Sequence, residues 1–451
     1  MRYLLPLAVL ALTASPALAQ SPDPASTVSQ ERLHADVEAL VAFGARHTLS
    51  AQDDPQRGIG AALDWGAAQF AAMSAACGNC LEVVQPERMV SGARVPTPTR
   101  LRNVVAIQRG SERPNEVVIV QGHIDSRASD VMNAAANAPG ANDNASGSAL
   151  VLEAARVLSQ RRYPTTVVYA LLSGEEQGLL GGELLADYAL EQGWTVKAVL
   201  NNDIVGGSCG SDGWCDDAHV RVFSEGERAD ADEATRAQMR SRGGGNDSPS
   251  RNLSRWVDGL AGQVGQGLDV RQVWRSDRMG RGGDHIPFLE RGLPAIRFSV
   301  AVEDYQHQHQ DLRAENGIDY GDTIDRMDFP YLARVTRLNV AALDRLACAP
   351  LPPQIQIDGI VRTDVLLEWL PVAGAVRYNV WRRATDARDW ELRLVLDADA
   401  AADLNSVTLA PDRGDDWIFG VSSVAADGSE SPVASAVPGG NFVPILPGPS
   451  S

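Results

Sequence analysis

The sequence lacks the features that would place it across a membrane or on a nucleic acid. Beyond its first twenty residues, no stretch approaches the roughly 20 unbroken apolar residues of a transmembrane helix. Positive charge is scarce, because 40 basic residues face 58 acidic ones and give a formal net charge of −18. Nucleic-acid binding needs a cationic surface, so this balance argues against such a partner. We therefore expect a soluble protein, with the acidic excess serving solubility.

Cysteine is also scarce, with five residues in 451. A tetracysteine metal site is excluded, since only Cys77 and Cys80 have the close CxxC spacing. No thioredoxin-like arrangement surrounds that pair, which favours a local bridge over a redox motif. Cys209 and Cys215 bracket a turn-rich loop that a disulfide could close, and Cys348 is left over. Five cysteines, four of them in two close pairs, fit a protein of an oxidising compartment better than one of a reducing compartment.

The first twenty residues have the pattern of a secretory signal. Arg2 precedes an apolar stretch, and Ala17-Leu18-Ala19 forms a small-residue cleavage site. We expect cleavage after Ala19 and a signal peptide over residues 1–19. The mature protein is then secreted or periplasmic.

Apolar β-branched runs alternate with longer helical patterns between Leu101 and Val300. The predicted strands are NVVAIQ, EVVIVQGH, TTVVYALL, VKAVLNND and PAIRFSV, and ASGSALVLEAARVLSQRR has helical spacing. This alternation predicts an α/β domain, with a largely parallel mixed sheet flanked by helices. A last helix should close the domain near Ala347, so we place it at residues 28–348.

The chain changes character after Cys348. Its proline-rich residues 349–355 predict a stiff linker. The short alternating pattern over residues 356–438 predicts a small β-sandwich, followed by a tail over residues 439–451. This segment resembles fibronectin type III modules in the placing of Leu367, Trp369, Pro371, Tyr378 and Val380. Upstream, RSRGGGNDSPSRN from Arg240 predicts an exposed flexible loop.

Ionisable residues recur where the predicted strands end. In a parallel sheet such positions meet at one edge. Each group has a structural explanation, such as helix capping by Asp143 or acids at a helix N-terminus for Glu175 and Glu176. Carboxylates and imidazoles without thiolates suit Zn²⁺, and five ligands fit two ions bridged by a carboxylate better than one ion. The candidates are His123, Asp125, Asp143, Glu175, Glu176, Asp203, His307 and His309.

The motifs GHIDS, GANDNASG, SGEEQGLLG and NNDIVG, with a histidine four residues before an aspartate, resemble the co-catalytic di-zinc aminopeptidases of the MH clan. The similarity to this secreted, bacterial leucyl aminopeptidase type spans about Leu33 to Ala347 and implies the zinc exopeptidase fold and peptide substrates. It implies two Zn²⁺ ions, with a water bridged between them and a cis peptide bond after the bridging aspartate. The implied metal ligands are His123, Asp143 as the bridge, Glu176, Asp203 and His307. Glu175 is the implied general base, and Asp125 orients His123.

The sequence departs from this family near its DH pair, where some relatives have an oxyanion-stabilising tyrosine. Here DRMGRGGDHIPF has none, so Arg278, Arg281 or neither takes that role. Asp284 and His285 are expected to support the site by hydrogen bonding. The choice of His307 over His309 rests on its spacing to Asp311.

Two other functions remain open. A glutaminyl cyclase-like transferase shares the fold and uses a single zinc. A catalytically silent protein that binds through its C-terminal module belongs to a different class, but such relatives usually lose ligands. A stoichiometry near two zincs, together with amide hydrolysis, favours the exported metallo-aminopeptidase. The target of the C-terminal module is unknown from the sequence.

Overall fold

A computed structural model describes residues 23–399 and 403–445. The predicted signal peptide lies outside the described residues. Within these ranges no helix is both long enough and apolar enough to cross a bilayer. The helices are α1 (Gln30–Ala42), α2 (Gly58–Ala76), α3 (Ser146–Leu158), α4 (Leu180–Glu191), α5 (Glu233–Arg242), α6 (Pro249–Val264), α7 (Ile286–Glu290) and α8 (Phe329–Cys348).

The strands before α8 form one large sheet and two hairpins. They are β1 (Glu82–Val84), β2 (Glu87–Gly92), β3 (Val95–Arg102), β4 (Val104–Gln108), β5 (Arg113–His123), β6 (Thr165–Leu172), β7 (Thr195–Asn202), β8 (His219–Phe223), β9 (Asp269–Val273), β10 (Ala295–Val300), β11 (Arg313–Glu315) and β12 (Ile318–Tyr320). The five strands predicted from the sequence correspond to β4, β5, β6, β7 and β10.

The large sheet has the order β1-β4-β6-β5-β7-β10-β8-β9. Its central strands β6, β5, β7 and β10 are parallel neighbours, and β4 pairs antiparallel with β6. Helices cover both faces, so the central strands are buried on both sides and read as continuous apolar runs. The core on one face includes residues of α1, α2, α3, α6 and α8, and the core on the other includes residues of α4 and α7. This architecture confirms the predicted α/β fold class.

Several helices begin at the capping residues that their sequence supplies. The Asp328 side chain accepts a hydrogen bond from the Tyr331 N–H at 2.9 Å at the start of α8. The Ser248 hydroxyl accepts one from the Arg251 N–H at 3.0 Å at the start of α6, where Pro249 follows. α8 ends at Cys348, close to the predicted position.

The C-terminal strands form two small antiparallel sheets that share one core. They are β13 (Ile355–Asp358), β14 (Val365–Trp369), β15 (Arg377–Ala384), β16 (Glu391–Asp397), β17 (Asn405–Leu409), β18 (Trp417–Val424) and β19 (Ala434–Ser435). The sheet orders are β13-β14-β17 and β16-β15-β18-β19. Trp369 and Tyr378 pack edge to face between the sheets, with ring centroids 5.3 Å apart. A small β-sandwich is therefore present, as predicted.

The segment from Arg240 is only partly the exposed loop that its composition predicts. Its first residues, Arg240 to Arg242, are exposed and end α5. Asp247, Ser248 and Ser250 are buried, because this part leads into α6 and lies under the β-sandwich, where Asp247 Oδ1 accepts a hydrogen bond from Arg383 Nη2 on β15 at 2.7 Å.

Two disulfides close short loops. Cys77 bonds to Cys80 after α2, and Cys209 bonds to Cys215. Cys348 is free. The CxxC pair is therefore a local bridge in this structure.

Candidate active site and metal centre

The sheet order brings the candidate residues together. His123 is the last residue of β5, Asp203 directly follows β7, and Glu175 and Glu176 lie in the turn between β6 and α4. Because β6, β5 and β7 are parallel neighbours, their carboxyl ends meet at one edge of the sheet. Asp143 reaches the same edge from the segment before α3.

One cluster joins His123, Asp143 and Asp203, all of them buried. His123 Nε2 lies 3.2 Å from Asp143 Oδ1 and 3.6 Å from Asp203 Oδ1. Burial lowers the pKa of His123, but the carboxylates of Asp125, Asp143 and Asp203 outweigh it and place that pKa well above its ordinary value. His123 Nε2 is therefore in a strongly anionic environment.

His123 is oriented for a ligand at Nε2. Its Nδ1 donates to the backbone oxygen of Asp125 at 3.1 Å and lies 3.5 Å from Asp125 Oδ1. That contact leaves Nε2 as the nitrogen whose proton a cation would replace, and Nε2 is a buried atom without a hydrogen-bond partner among the described residues. A divalent cation would satisfy this nitrogen and the two facing carboxylates together.

A second cluster joins Asp143, Glu176 and His309. His309 Nε2 lies 2.8 Å from Asp143 Oδ2 and 3.0 Å from Glu176 Oε1. Asp143 belongs to both clusters and presents a different oxygen to each. This arrangement is that of a carboxylate shared between two adjacent cation sites.

The side chain of His307, the expected ligand, does not face the cluster. Its Nδ1 faces Asp304, and its Nε2 donates to the backbone oxygen of Asp319 at 3.0 Å. His309 faces the cluster instead, from a loop in which its own φ is 54°. A left-handed residue changes the direction of successive side chains, so the spacing to Asp311 could not identify the ligand.

Asp322 holds Asp143 in place through hydrogen bonds to the backbone. Asp322 Oδ2 accepts a hydrogen bond from the Asp143 N–H at 2.7 Å, and Asp322 Oδ1 accepts one from the Asn142 N–H at 2.8 Å. The peptide bond between Asp143 and Asn144 is cis, as the resemblance implies.

Asp125 acts on the paired glutamates more than on His123. Its carboxylate accepts the backbone N–H of Glu175 at 3.4 Å and of Glu176 at 3.3 Å, together with the Thr48 hydroxyl at 3.2 Å. These contacts fix the turn that carries both glutamates. Asp125 therefore positions three side chains at once, through its backbone oxygen and its carboxylate.

Glu175 lines a cavity of about 340 Å³, which is also lined by Asp143, Glu176, Asp203 and His309. Its side chain differs in setting from that of Glu176, whose Oε2 accepts a hydrogen bond from Arg127 Nε at 2.8 Å. Burial raises the pKa of Glu175 well above its ordinary value, and the charges of Asp203 and Glu176 raise it further. The two glutamates are chemically distinct although adjacent.

Arg127 constrains the tautomer of His309. Its Nη2 lies 2.6 Å from His309 Nδ1, and a guanidinium only donates, so Nδ1 accepts and the Nε2 proton faces the carboxylates. Ligation through Nε2 requires the opposite tautomer. Cation binding therefore requires Arg127 to turn away from Nδ1.

Asp284 and His285 lie beneath the site, as expected. Asp284 Oδ1 accepts the Gly182 N–H at 3.1 Å, and His285 Nε2 donates to the Ser276 oxygen at 2.7 Å. Burial raises the pKa of Asp284 to about 7. These contacts tie the loop before α7 to α4.

Four charged residues at the site were not identified from the sequence. They are Arg94, Arg127, Asp322 and Arg297, whose Nη2 lies 3.1 Å from Asp203 Oδ2. Arg127 is adjacent to the GHIDS motif, which offers a weak signal. Arg297 and Asp322 lie far along the chain, and only the fold brings them to the cluster.

Comparisons with known proteins identify the family and agree with this fold. A model of peptidase family M28 matches residues 103–330, just over half of the chain. The chain is 41% identical over 417 residues to a probable zinc metalloprotease of Leptosphaeria maculans, covering 91% of this chain and 95% of the relative. The prediction of a peptidase is confirmed.

Solved structures show a similar fold. The LapA aminopeptidase of Legionella pneumophila matches with a TM-score of 0.52 and 18% identity, over 76% of this chain and 77% of that one. The glutaminyl cyclase of Fimbriiglobus ruber matches with a TM-score of 0.51 and 20% identity, over 74% and 99%. These likenesses concern the fold alone and do not separate the two activities. The family match and the full-length relative together show that this chain belongs to peptidase family M28.

Proposed function

We propose that the chain is an exported zinc-dependent aminopeptidase, which removes N-terminal residues from peptides at a site for two Zn²⁺ ions. One observation carries this proposal. Asp143 belongs to two adjacent clusters of metal-binding residues, and it directs Oδ1 to one and Oδ2 to the other.

The ligand sets follow from the two clusters. His123 and Asp203 would hold one ion, Glu176 and His309 would hold the other, and Asp143 would be shared. Imidazole and carboxylate donors suit zinc. The relative from Leptosphaeria maculans, named a probable zinc metalloprotease, supports this choice of metal.

Glu175 is the general base of the proposed reaction. It lines the cavity beside both clusters without belonging to either set. Zinc bound at these residues would supply Lewis acidity, which lowers the pKa of water and polarises a carbonyl. Glu175 would take the proton from the attacking water and return it to the leaving amine. Asp125 and Asp322 hold the glutamate turn and Asp143 in place.

Export rests on the signal pattern of residues 1–19, and two disulfides in the described ranges are in keeping with an oxidising compartment. We assign the C-terminal β-sandwich to the fibronectin type III type. The assignment rests on its Trp369–Tyr378 core pair and on its two sheets of three and four strands. Its target stays unassigned.

The test measures metal content and hydrolysis on one purified sample. We expect about two zinc ions per chain and release of the N-terminal residue from aminoacyl amides. The same amides with an acetylated N-terminus serve as the control, because an aminopeptidase requires the free amine. Equal cleavage of both sets would contradict the aminopeptidase assignment. One zinc per chain with cyclisation of N-terminal glutamine, without hydrolysis, would instead identify a glutaminyl cyclase.

A further inference from the structure

The cavity at the candidate active site is lined by an unusual set of charges. Four arginines face it, and among its described lining residues Leu179 is the one large apolar side chain. Each carboxylate of the lining belongs to the two clusters or is Glu175. No lining carboxylate is therefore left to bind a cationic side chain, and Leu179 alone among the described lining residues could pack against a leucine-like one. The arginines are Arg94, Arg127, Arg278 and Arg281.

Two of these arginines are occupied by the protein itself. Arg127 donates to Glu176 and to two backbone oxygens, and it also contacts His309 Nδ1 as long as no cation is bound at His309 Nε2. Arg278 donates to Asp277, to Glu303 and to the Gly282 oxygen. Their donors hold the walls of the cavity together.

Arg94 and Arg281 have donors to spare. Arg94 lies in the turn between β2 and β3 and is exposed. Its side chain makes one hydrogen bond among the described residues, from Nη1 to the backbone oxygen of Glu176 at 3.2 Å. Arg281 makes one ion pair among the described residues, from Nη1 to Glu303 Oε2 at 3.0 Å, and its side chain is 33% exposed. A guanidinium has five N–H donors, so most remain available on both residues.

Arg281 also shares its carboxylate partner. Glu303 faces three guanidiniums, from Arg221 at 2.6 Å, Arg278 at 3.2 Å and Arg281 at 3.0 Å. Arg278 has a second partner in Asp277 at 3.1 Å, whereas Glu303 is the one carboxylate in an ion pair with Arg281 among the described residues. An anionic group entering the cavity therefore meets the spare donors of Arg94 and Arg281.

We propose that the site selects substrates with a carboxylate next to the scissile bond, and that Arg94 and Arg281 bind this carboxylate. The inference rests on the proposed peptidase function and names its substrate class. Two sources supply the same chemistry. One is the side chain of an acidic N-terminal residue, and the other is the C-terminal carboxylate of a dipeptide.

The experiment compares kcat/KM within two matched pairs on zinc-loaded protein. Glutamyl and glutaminyl anilides test the side chain, and alanylglycine and its C-terminal amide test the terminal carboxylate. We expect the carboxylate member of one pair to be favoured by about tenfold or more, as charge-assisted hydrogen bonds imply. The substrate pair that shows this preference identifies whether the site recognises an acidic N-terminal side chain or the C-terminal carboxylate of a dipeptide. The preference should fall to about twofold or less in the Arg94→Ala/Arg281→Ala variant.

Arg100→Ala is the matched control, because Arg100 lies on β3 of the same hairpin and pairs with Glu87 at the surface. It should keep the wild-type ratio. Hydrolysis without a preference in either pair, or a preference that the double variant retains, would overturn the inference while leaving the peptidase proposal intact.

If no substrate is hydrolysed, the proposed function fails and calorimetry decides the inference separately. Zinc-loaded protein should bind glutarate at least about tenfold more tightly than glutaramide, and the double variant should lose that difference. Equal affinities in the wild type would refute carboxylate recognition by the two arginines.

Discussion

Glu175 and Glu176 are neighbours in sequence with different surroundings. The Asp125 carboxylate holds both backbone N–H groups, while Arg127 and His309 contact the carboxylate of Glu176 alone. The surroundings of the two side chains, rather than their residue type, therefore separate the proposed metal ligand Glu176 from the proposed proton acceptor Glu175.

Glu175→Gln should retain both zinc ions and lose hydrolysis by about 10²- to 10⁴-fold in kcat, because the amide cannot accept the proton. Glu176→Ala should lose metal as well as activity. Metal analysis and steady-state kinetics on the same preparations test this division. Near-normal turnover of Glu175→Gln would exclude the general-base role.

The two histidines of HQHQ provide a matched pair. His309→Ala should lower zinc content, since Nε2 of His309 faces Asp143 and Glu176. His307→Ala should keep its zinc, because His307 contacts Asp304 and a backbone oxygen instead. Zinc titration of both variants checks the assignment. The reverse pattern would restore His307 as the ligand.

Glu225 is a buried carboxyl distant from the metal centre in sequence and accepts the Ala229 N–H at 3.0 Å. Burial raises its pKa from 4.5 to about 8, and the nearby charge of Asp230 also raises it, against the effects of Arg228 and Arg251. Between these pH values the folded protein keeps a proton that the unfolded chain has lost. This group therefore makes stability fall as pH rises from about 4.5 to about 8.

Glu225→Gln should remove that contribution, because the amide mimics the protonated acid. Thermal unfolding at pH 5 and pH 8 should show the variant gaining stability relative to the wild type as pH rises. Glu290→Gln, at an exposed carboxyl of α7, is the control. Parallel pH profiles for wild type and Glu225→Gln would contradict the burial argument.

At the scale of elements, α3 begins in close contact with the end of β7. Asn144 Oδ1 accepts the Gly147 N–H at 2.9 Å and the Ile204 N–H at 3.2 Å, and its Nδ2 donates to the Asn202 oxygen at 2.8 Å. This one amide fixes α3 to the strand that precedes Asp203. The separation of Asp143 from Asp203 depends on that contact.

Gly147→Ala should disturb the contact, because a Cβ at this position would lie 2.2 Å from the Asn202 oxygen. We expect a loss of about 1–3 kcal/mol in the free energy of unfolding, with weaker zinc binding. Gly262→Ala, in α6 with nothing within 4 Å of the added atom, should instead gain up to about 1 kcal/mol. Urea unfolding compares the two. Equal effects would show that α3 can move without consequence.

At the scale of the whole molecule, the β-sandwich packs on α6 through a polar interface. Arg383 and Asp247 are both buried and pair across it, and the Trp256 indole N–H donates to the Glu430 oxygen at 3.1 Å. Pro352 and Pro353 of the predicted linker are buried as well. The predicted domain boundaries stay predictions, but the sandwich is not loosely attached.

Arg383→Ala should cost about 1–3 kcal/mol in the free energy of unfolding, because the buried Asp247 carboxylate loses its 2.7 Å ion pair and keeps only Arg255 at 3.7 Å and the Ser435 hydroxyl at 3.3 Å. Arg362→Ala breaks exposed pairs with Asp358 and Asp364 and should leave the free energy of unfolding nearly unchanged. Denaturant unfolding measures both. A similar small loss in each would mean that the interface contributes little to stability.

Local patterns were sufficient for the parts of the molecule that depend on local chemistry. The central strands are apolar because they are buried on both faces, and His123, Glu176 and Asp203 could be named as candidates because they lie at or just beyond the carboxyl ends of these strands. Their assignment as metal ligands came from the family resemblance. Asp143 came from the family-like motif around it. These positions are fixed by strand register and by the parallel order of β6, β5 and β7.

The tertiary structure alone decided what distant segments contribute. It selected His309 over His307, because a loop without regular periodicity gives no direction to its side chains. It brought Arg297 to Asp203 and Asp322 to Asp143 across long separations in sequence. It also buried the glycine- and serine-rich segment before α6, since a surface becomes an interface only when another domain covers it. Sequence periodicity reports burial within one element, whereas contacts between elements exist only after the chain has folded.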